Sequence, residues 1–136
     1  LIVYSAFRIN NLEHLQGEEN KHSEMHNTPW EAFTAVDLRI GKIVDVQDFQ
    51  EAEKPAYKIW ADFGEGYGIM KSSAQITDLY SKEELIGQSI IGLVNIPVRQ
   101  IGPFVSEFLV TGFTNTRGQV VLAIPERPLE PGLRLH

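Results

Sequence analysis

Along the chain, apolar and polar positions alternate in short runs separated by turn residues. This is the pattern of half-buried strands rather than of amphipathic helices. Val36–Val46 alternates but slips at Gly41-Lys42-Ile43, where a glycine inside a long strand predicts a bulge or bend. Tyr57–Phe63 alternates again, Gly64-Glu65-Gly66 predicts a hairpin turn, and Tyr67–Ser73 gives a third strand. Gln88–Asn95 predicts a fourth strand, Ile96–Pro103 a loop, Val105–Phe113 a fifth strand, and Gln119–Ile124 a short addition before a proline-rich ending. Two short helices are expected. Thr28-Pro29-Trp30-Glu31 reads as a cap, a first-turn proline and an acidic third position, for a helix over 29–33. Ser81-Lys82-Glu83-Glu84 is a capping box, with Gly87 as the stop.

Three strands, a helix and two more strands make an all-β chain in the order of a five-stranded OB-fold Greek-key barrel. The short helix falls between strands three and four, with an N-terminal helix and a C-terminal strand as additions. An SH3-like barrel or small sandwich is the competing architecture. A length of 136 residues is one domain's worth, with 43% hydrophobic and 22% charged residues. Residues 28–136 read as this domain. Residues 1–27 read as an N-terminal extension, flexible or artificially added, with Met25 as the expected natural start. His14, His22 and His26, like His136, read as loose tail histidines.

Cysteine is absent, which excludes disulfides, thiol nucleophiles and cysteine-ligated metals, and fits a cytoplasmic setting. No apolar run approaches the roughly 20 residues of a membrane span. The net charge is −6, and residues 28–136 alone carry ten Lys+Arg against fourteen Asp+Glu. Such a chain can grip a polyanion only through a local patch.

The strand pattern supplies one. A barrel of this kind binds nucleic acid across strands two and three, flanked by the first–second and fourth–fifth loops. Lys54 lies in the first of those loops and Arg99 in the second, with Phe104 at its end. Lys58 and Trp60 share one face of strand two, with Tyr57 on the other, and Tyr67 and Lys71 share a face of strand three. Either Tyr57 or Trp60 must help fill the barrel. Ser72, Ser73, Gln75, Asn95 and Ser106 can supply hydrogen bonds to sugar, base edges or a peptide backbone, or satisfy the chain's own backbone. Phe104, Phe108, Leu109 and Phe113 exceed what so small a barrel must bury, and are a candidate dimer or peptide surface. Enzymatic chemistry has little support. A Ser–Lys hydrolase would rest on Lys71 with Ser72 or Ser73, and adjacent strand residues face opposite ways. Glu51, Glu53, Glu83 and Glu84 lack the spacing of a calcium loop, so no metal and no cofactor are expected.

Val36-Asp37-Leu38-Arg39-Ile40-Gly41-Lys42-Ile43-Val44, together with Asn95-Ile96-Pro97, Arg99, Gly102 and Ser106, resembles the motif of the tRNA-binding domain family. That family comprises small free-standing proteins and domains appended to some methionyl- and phenylalanyl-tRNA synthetases. Pro55–Ile59, Asp62-Phe63-Gly64, Lys71-Ser72-Ser73-Ala74-Gln75-Ile76-Thr77 and Ser106–Val110 are most similar to its CsaA-type export chaperones. The resemblance covers about Phe33 to Leu135. It departs from the wider family at Phe49-Gln50-Glu51, where a His-Pro pair is usual, and at Glu107-Phe108-Leu109, where a small residue and methionine follow the serine. It implies an OB-fold, a homodimer formed through the last strands and terminal segments, and no catalysis. It also implies binding of tRNA and of unfolded or precursor polypeptides in export.

Overall fold

The first alternating run forms a single long strand, β1 (Leu38–Asp48), whose two halves serve different neighbours. Its second half pairs antiparallel with β2 (Tyr57–Asp62), from Lys42↔Asp62 to Asp48↔Tyr57. Its first half pairs with β4 (Ser89–Leu93), from Leu38↔Leu93 to Lys42↔Ser89. The register shift falls between Ile43 and Asp45, later than the expected slip at Gly41. Gly41 answers a different need. A Cβ there would stand 2.7 Å from the Phe63 ring, and one at Gly92 would stand 2.6 Å from it. The two glycines thus form a cradle for a fully buried phenylalanine, since no other residue leaves room for the ring.

The computed structural model describes residues 27–136. They divide between two units, the first ending at Val36 and the second running from Asp37 to His136. The readings made for residues 1–26, Met25 and three histidines among them, lie outside the described residues. In the first unit, helix α1 spans Trp30–Ala35. Its cap is Pro29, with no side-chain cap bond, so the expected capping by Thr28 is corrected: the proline sits one position earlier than its usual first-turn place.

The second unit is a nearly closed antiparallel barrel with strand order β3-β2-β1-β4-β7, where β3 is Ile69–Ala74 and β7 is Leu109–Val110. The β2–β3 hairpin forms, but its turn runs on to Gly68, so Tyr67 lies in the turn and not, as expected, on a strand face with Lys71. Phe63 N–H donates to the Gly68 carbonyl at 2.8 Å, and Gly64, Gly66 and Gly68 all adopt positive φ. The second helix, α2 (Lys82–Leu85), keeps its capping box: Ser81 Oγ accepts from Glu84 N–H, and Glu84 Oε1 accepts from Ser81 N–H.

The predicted fifth strand is not continuous. Arg99–Ile101 (β5) and Phe104–Ser106 (β6) form a hairpin inside and beyond the expected loop. The chain then enters β7 and β8 (Gly112–Thr114), which pairs with β9 (Val120–Leu122). The seam is closed at Glu107, whose N–H donates to the Lys71 carbonyl at 2.7 Å and whose Oε1 accepts from Lys71 N–H at 3.0 Å. Residues 132–135 continue the β2 edge of β1. Ile40 N–H donates to the Leu133 carbonyl, while Gly132 and Leu135 N–H groups donate to Ile40 and Leu38. Among the described residues, no helix is long and apolar enough to cross a membrane.

Candidate nucleic-acid interface

Strand β2 decides which side chains face outward. Tyr57, Ile59 and Ala61 are buried, so Lys58, Trp60 and Asp62 line the other face. Tyr57 is therefore the core aromatic, its hydroxyl donating to the Tyr80 carbonyl at 2.8 Å, and Trp60 belongs to the surface. Pairing brings Trp60 opposite Lys71 and Lys58 opposite Ser73. The outward face thus carries two lysines and an indole side by side.

Two connections fold over that face. The residue 49–56 segment contributes Phe49 and Ala56, and the β5–β6 hairpin contributes Phe104. Together they form a small second core against which Ala52, Trp60 and Ile101 pack. Phe104 is its hub. Its ring centroid lies 5.5 Å from that of Phe49 and 6.0 Å from that of Trp60 in an edge-on arrangement. Lys58 Nζ lies 5.6 Å from the Phe104 centroid and 5.1 Å from that of Phe49, and Lys71 Nζ lies 5.4 Å from Phe104. These are cation–π distances. Glu51 Oε1 stands 4.0 Å from Lys58 Nζ, half exposed and so only weakly neutralising.

Other expected site residues divide sharply. Arg99 is half-buried and sits opposite Ser106 in the β5–β6 register, and the Ser106 hydroxyl accepts from Ser73 N–H at 3.4 Å, which joins this hairpin to the β3 edge. Lys54 is exposed on the 49–56 connection, and Gln75 is half-buried just past β3. Ser72 and Ser106 do not belong to the surface. Ser72 is 1% exposed, and the Ser106 hydroxyl donates to Ser72 Oγ at 3.2 Å inside the barrel. This corrects their assignment as ligand donors, since a buried hydroxyl needs an internal partner and has found one. Asn95 is exposed, and its Oδ1 accepts from Asp37 N–H at 2.9 Å, which ties it to the start of β1. Lys71 and Ser72 face opposite ways, as strand alternation leads one to expect, the serine pointing inward and the lysine outward.

Asp37, just ahead of β1, anchors a polar knot absent from the expected site residues. Arg39 Nε donates to its Oδ1 at 2.6 Å, Tyr67 donates to Oδ2 at 2.6 Å, and Arg134 Nε lies 3.4 Å away. The Arg39 hydrogen bond holds the Asp37 carboxyl below its ordinary range, and burial opposes this. The same carboxylate, accepting its hydrogen bond, raises the Tyr67 hydroxyl. Arg39 also donates to the Gly132 carbonyl at 2.9 Å, so the knot ties residues 132–134 to β1. Its signal was Arg39 two residues beyond Asp37 on one strand face, but the partners 30 and 97 residues away were not visible in local spacing.

The proposed dimer or peptide surface is also corrected. Phe104, Phe108 and Leu109 are buried, Phe108 edge-on to Phe63 at 4.9 Å. Phe113 alone of the four is exposed, at 71%, paired across β8–β9 with half-exposed Val121. A separate apolar groove of about 330 Å³ runs between Leu38, Ile40 and Ile91 on one side and Leu129, Leu133 and Leu135 on the other. Among the described residues, no group of three or more His, Cys, Asp or Glu side chains is arranged to hold a metal.

Residues 38–134 match the family described as "Putative tRNA binding domain". The CsaA chaperone of Bacillus anthracis superposes with a TM-score of 0.76 at 42% identity, over 81% of this chain and 99% of that one. The CsaA chaperone of Picrophilus torridus does so with the same score at 44% identity, over 81% and 100%. The methionine–tRNA ligase of Nanoarchaeum equitans is 30% identical over 76% of this chain, but this chain spans only 13% of that protein's length. The curated ligases it matches are thus several times longer than the region shared. With a barrel of the right topology and a family match over most of its length, this chain belongs to the tRNA-binding domain family and, within it, to the CsaA type.

Proposed function

We propose that the chain is a non-enzymatic binding protein that grips tRNA through the outer face of β2–β3. The observation that carries this reading is the meeting of Lys58 and Lys71, from different strands, at one aromatic hub flanked by two connections. Two lysines held together on one strand face, beside the half-buried Trp60 indole, suit the closely spaced phosphates of a nucleic-acid strand. Arg99 on the β5–β6 hairpin adds a third cation, and Lys54 a fourth on the 49–56 connection. Ser73, Gln75 and the amide nitrogen of Asn95 are polar groups able to reach sugars or base edges. With tRNA as ligand, the expected setting is the cytoplasm.

Titration with unfractionated tRNA at several salt concentrations tests this. Three phosphate contacts on an unpaired strand give a log–log slope of about −2. Replacing Lys71 and Arg99 with alanine together should flatten it. An unchanged slope removes both residues from the interface.

A second activity, holding unfolded or precursor polypeptides during export, is supported by the likeness to CsaA chaperones and by uncovered apolar surface. Phe113 with Val121, and the groove beside Leu133 and Leu135, suit either an extended apolar segment or a second copy of this chain. Sedimentation equilibrium tests the homodimer, and suppression of aggregation of a denatured protein tests polypeptide binding. Labelling of Ser73 by a fluorophosphonate would instead favour hydrolysis.

A further inference from the structure

We propose that Phe104 is a positioning residue of the RNA interface: its ring gathers Lys58 and Lys71 into one paired cation that meets phosphates within about three consecutive nucleotides of a single strand. The inference rests on the RNA-binding reading and deepens it. The two ammonium groups lie 5.6 and 5.4 Å from the same centroid, so they stand no more than 11 Å apart. A stacked strand rises roughly 3.4 Å per phosphate and an unstacked one more, so the pair spans about three nucleotides at most. The lysines come from β2 and β3, whereas the ring comes from the β5–β6 hairpin, so no single element fixes the pair. The ring itself is held, 6% exposed, between Phe49 and Trp60. Two flexible ammonium groups resting on a fixed ring lose less freedom when a phosphate arrives. Glu51 can occupy Lys58 in the absence of ligand, but on an exposed rim a phosphate displaces it readily.

The test is a set of anisotropy titrations with a short fluorescein-labelled single-stranded RNA. Lys58→Met, Lys71→Met and the double variant are compared in the native and Phe104→Leu backgrounds, with Phe104→Tyr as the conservative control. Phe104→Leu should weaken binding about three- to tenfold, Phe104→Tyr should restore most of it, and the coupling between the two lysines should vanish without the ring. In the NMR spectrum of the unmodified protein, the Lys58 and Lys71 ε-methylene protons should be displaced upfield by the ring. This readout stands even if Phe104→Leu does not fold. Undisplaced resonances overturn the inference. So does unchanged RNA affinity in Phe104→Leu while the lysine variants lose binding, and in that case the RNA reading survives. If neither lysine variant changes affinity, the RNA reading falls and takes this inference with it.

Discussion

Glu107 grips Lys71 at both of its main-chain groups, donating from its own N–H to the Lys71 carbonyl at 2.7 Å and accepting the Lys71 N–H on its carboxylate at 3.0 Å. A side chain here does what the next rung of a sheet ladder would do, at the seam where β3 meets the stretch between β6 and β7. Removing the acceptor strands an amide that no other strand reaches. Glu107→Ala should therefore lower stability by about 1–2 kcal/mol in urea unfolding, and Glu107→Gln, which keeps an acceptor oxygen, by less. Equal losses for the two variants would mean that charge, not the hydrogen bond, matters there.

The buried hydroxyl pair separates structure from binding. Ser106 donates to Ser72 Oγ and lies near the Ser73 N–H and Phe108 carbonyl. Ser106→Ala should cost about 1–2 kcal/mol, because it removes a shared partner within the barrel. Ser72→Ala should leave the salt slope of tRNA binding unchanged, while Lys71→Ala flattens it. A salt slope altered by Ser72→Ala would return that serine to the interface.

The cradle under Phe63 should be intolerant in a specific way. Gly92→Ala places a methyl carbon 2.6 Å from a ring that cannot move, and should destabilise by about 1–3 kcal/mol or more. Phe63→Leu is itself costly, yet it vacates that space. The double variant should lose less than the sum of the two singles, as differential scanning calorimetry can show.

Acid should loosen the Asp37 knot. The folded-state carboxyl titrates below its ordinary value of 3.8, mainly because Arg39 donates to its charged form. Its contribution is therefore fully present above that ordinary value. It is lost as pH falls through the lower folded-state value. Asp37→Asn should cost about 1–3 kcal/mol at neutral pH. It should also remove part of the decline in melting temperature below about pH 4. A decline as steep in the variant as in the native chain would clear Asp37 of that role.

Local chemistry made much of the barrel legible in the sequence. Alternation located β2 and, despite its slip, β1; the Ser81/Glu84 box located α2, and Gly64-Glu65-Gly66 located the hairpin. Where local signals failed, a distant partner had decided the outcome. Two prolines hid the β5–β6 hairpin, whose pairing is stabilised by Phe104 packing on Phe49 rather than by strand propensity. Gly41 reads as a bend until Phe63, far along the chain, is seen lying against it. Of the candidate interface, period two correctly put Lys58 and Trp60 on one face of β2, but it wrongly carried Tyr67, a turn residue, onto the Lys71 face of β3. It could not say that Ser72 faces a second serine across the seam, nor that the phenylalanine taken for a docking surface would be the hub beneath the lysines.

The stitching of residues 132–135 onto Leu38 and Ile40 sets a timetable for synthesis. The flank of the first strand is translated about ninety residues before the segment that covers it, a delay of roughly 5–20 s at ribosomal rates. Through that interval the nascent chain offers a bare strand border to whatever lies nearby, a hazard of aggregation that ends only when the last stitch is in place.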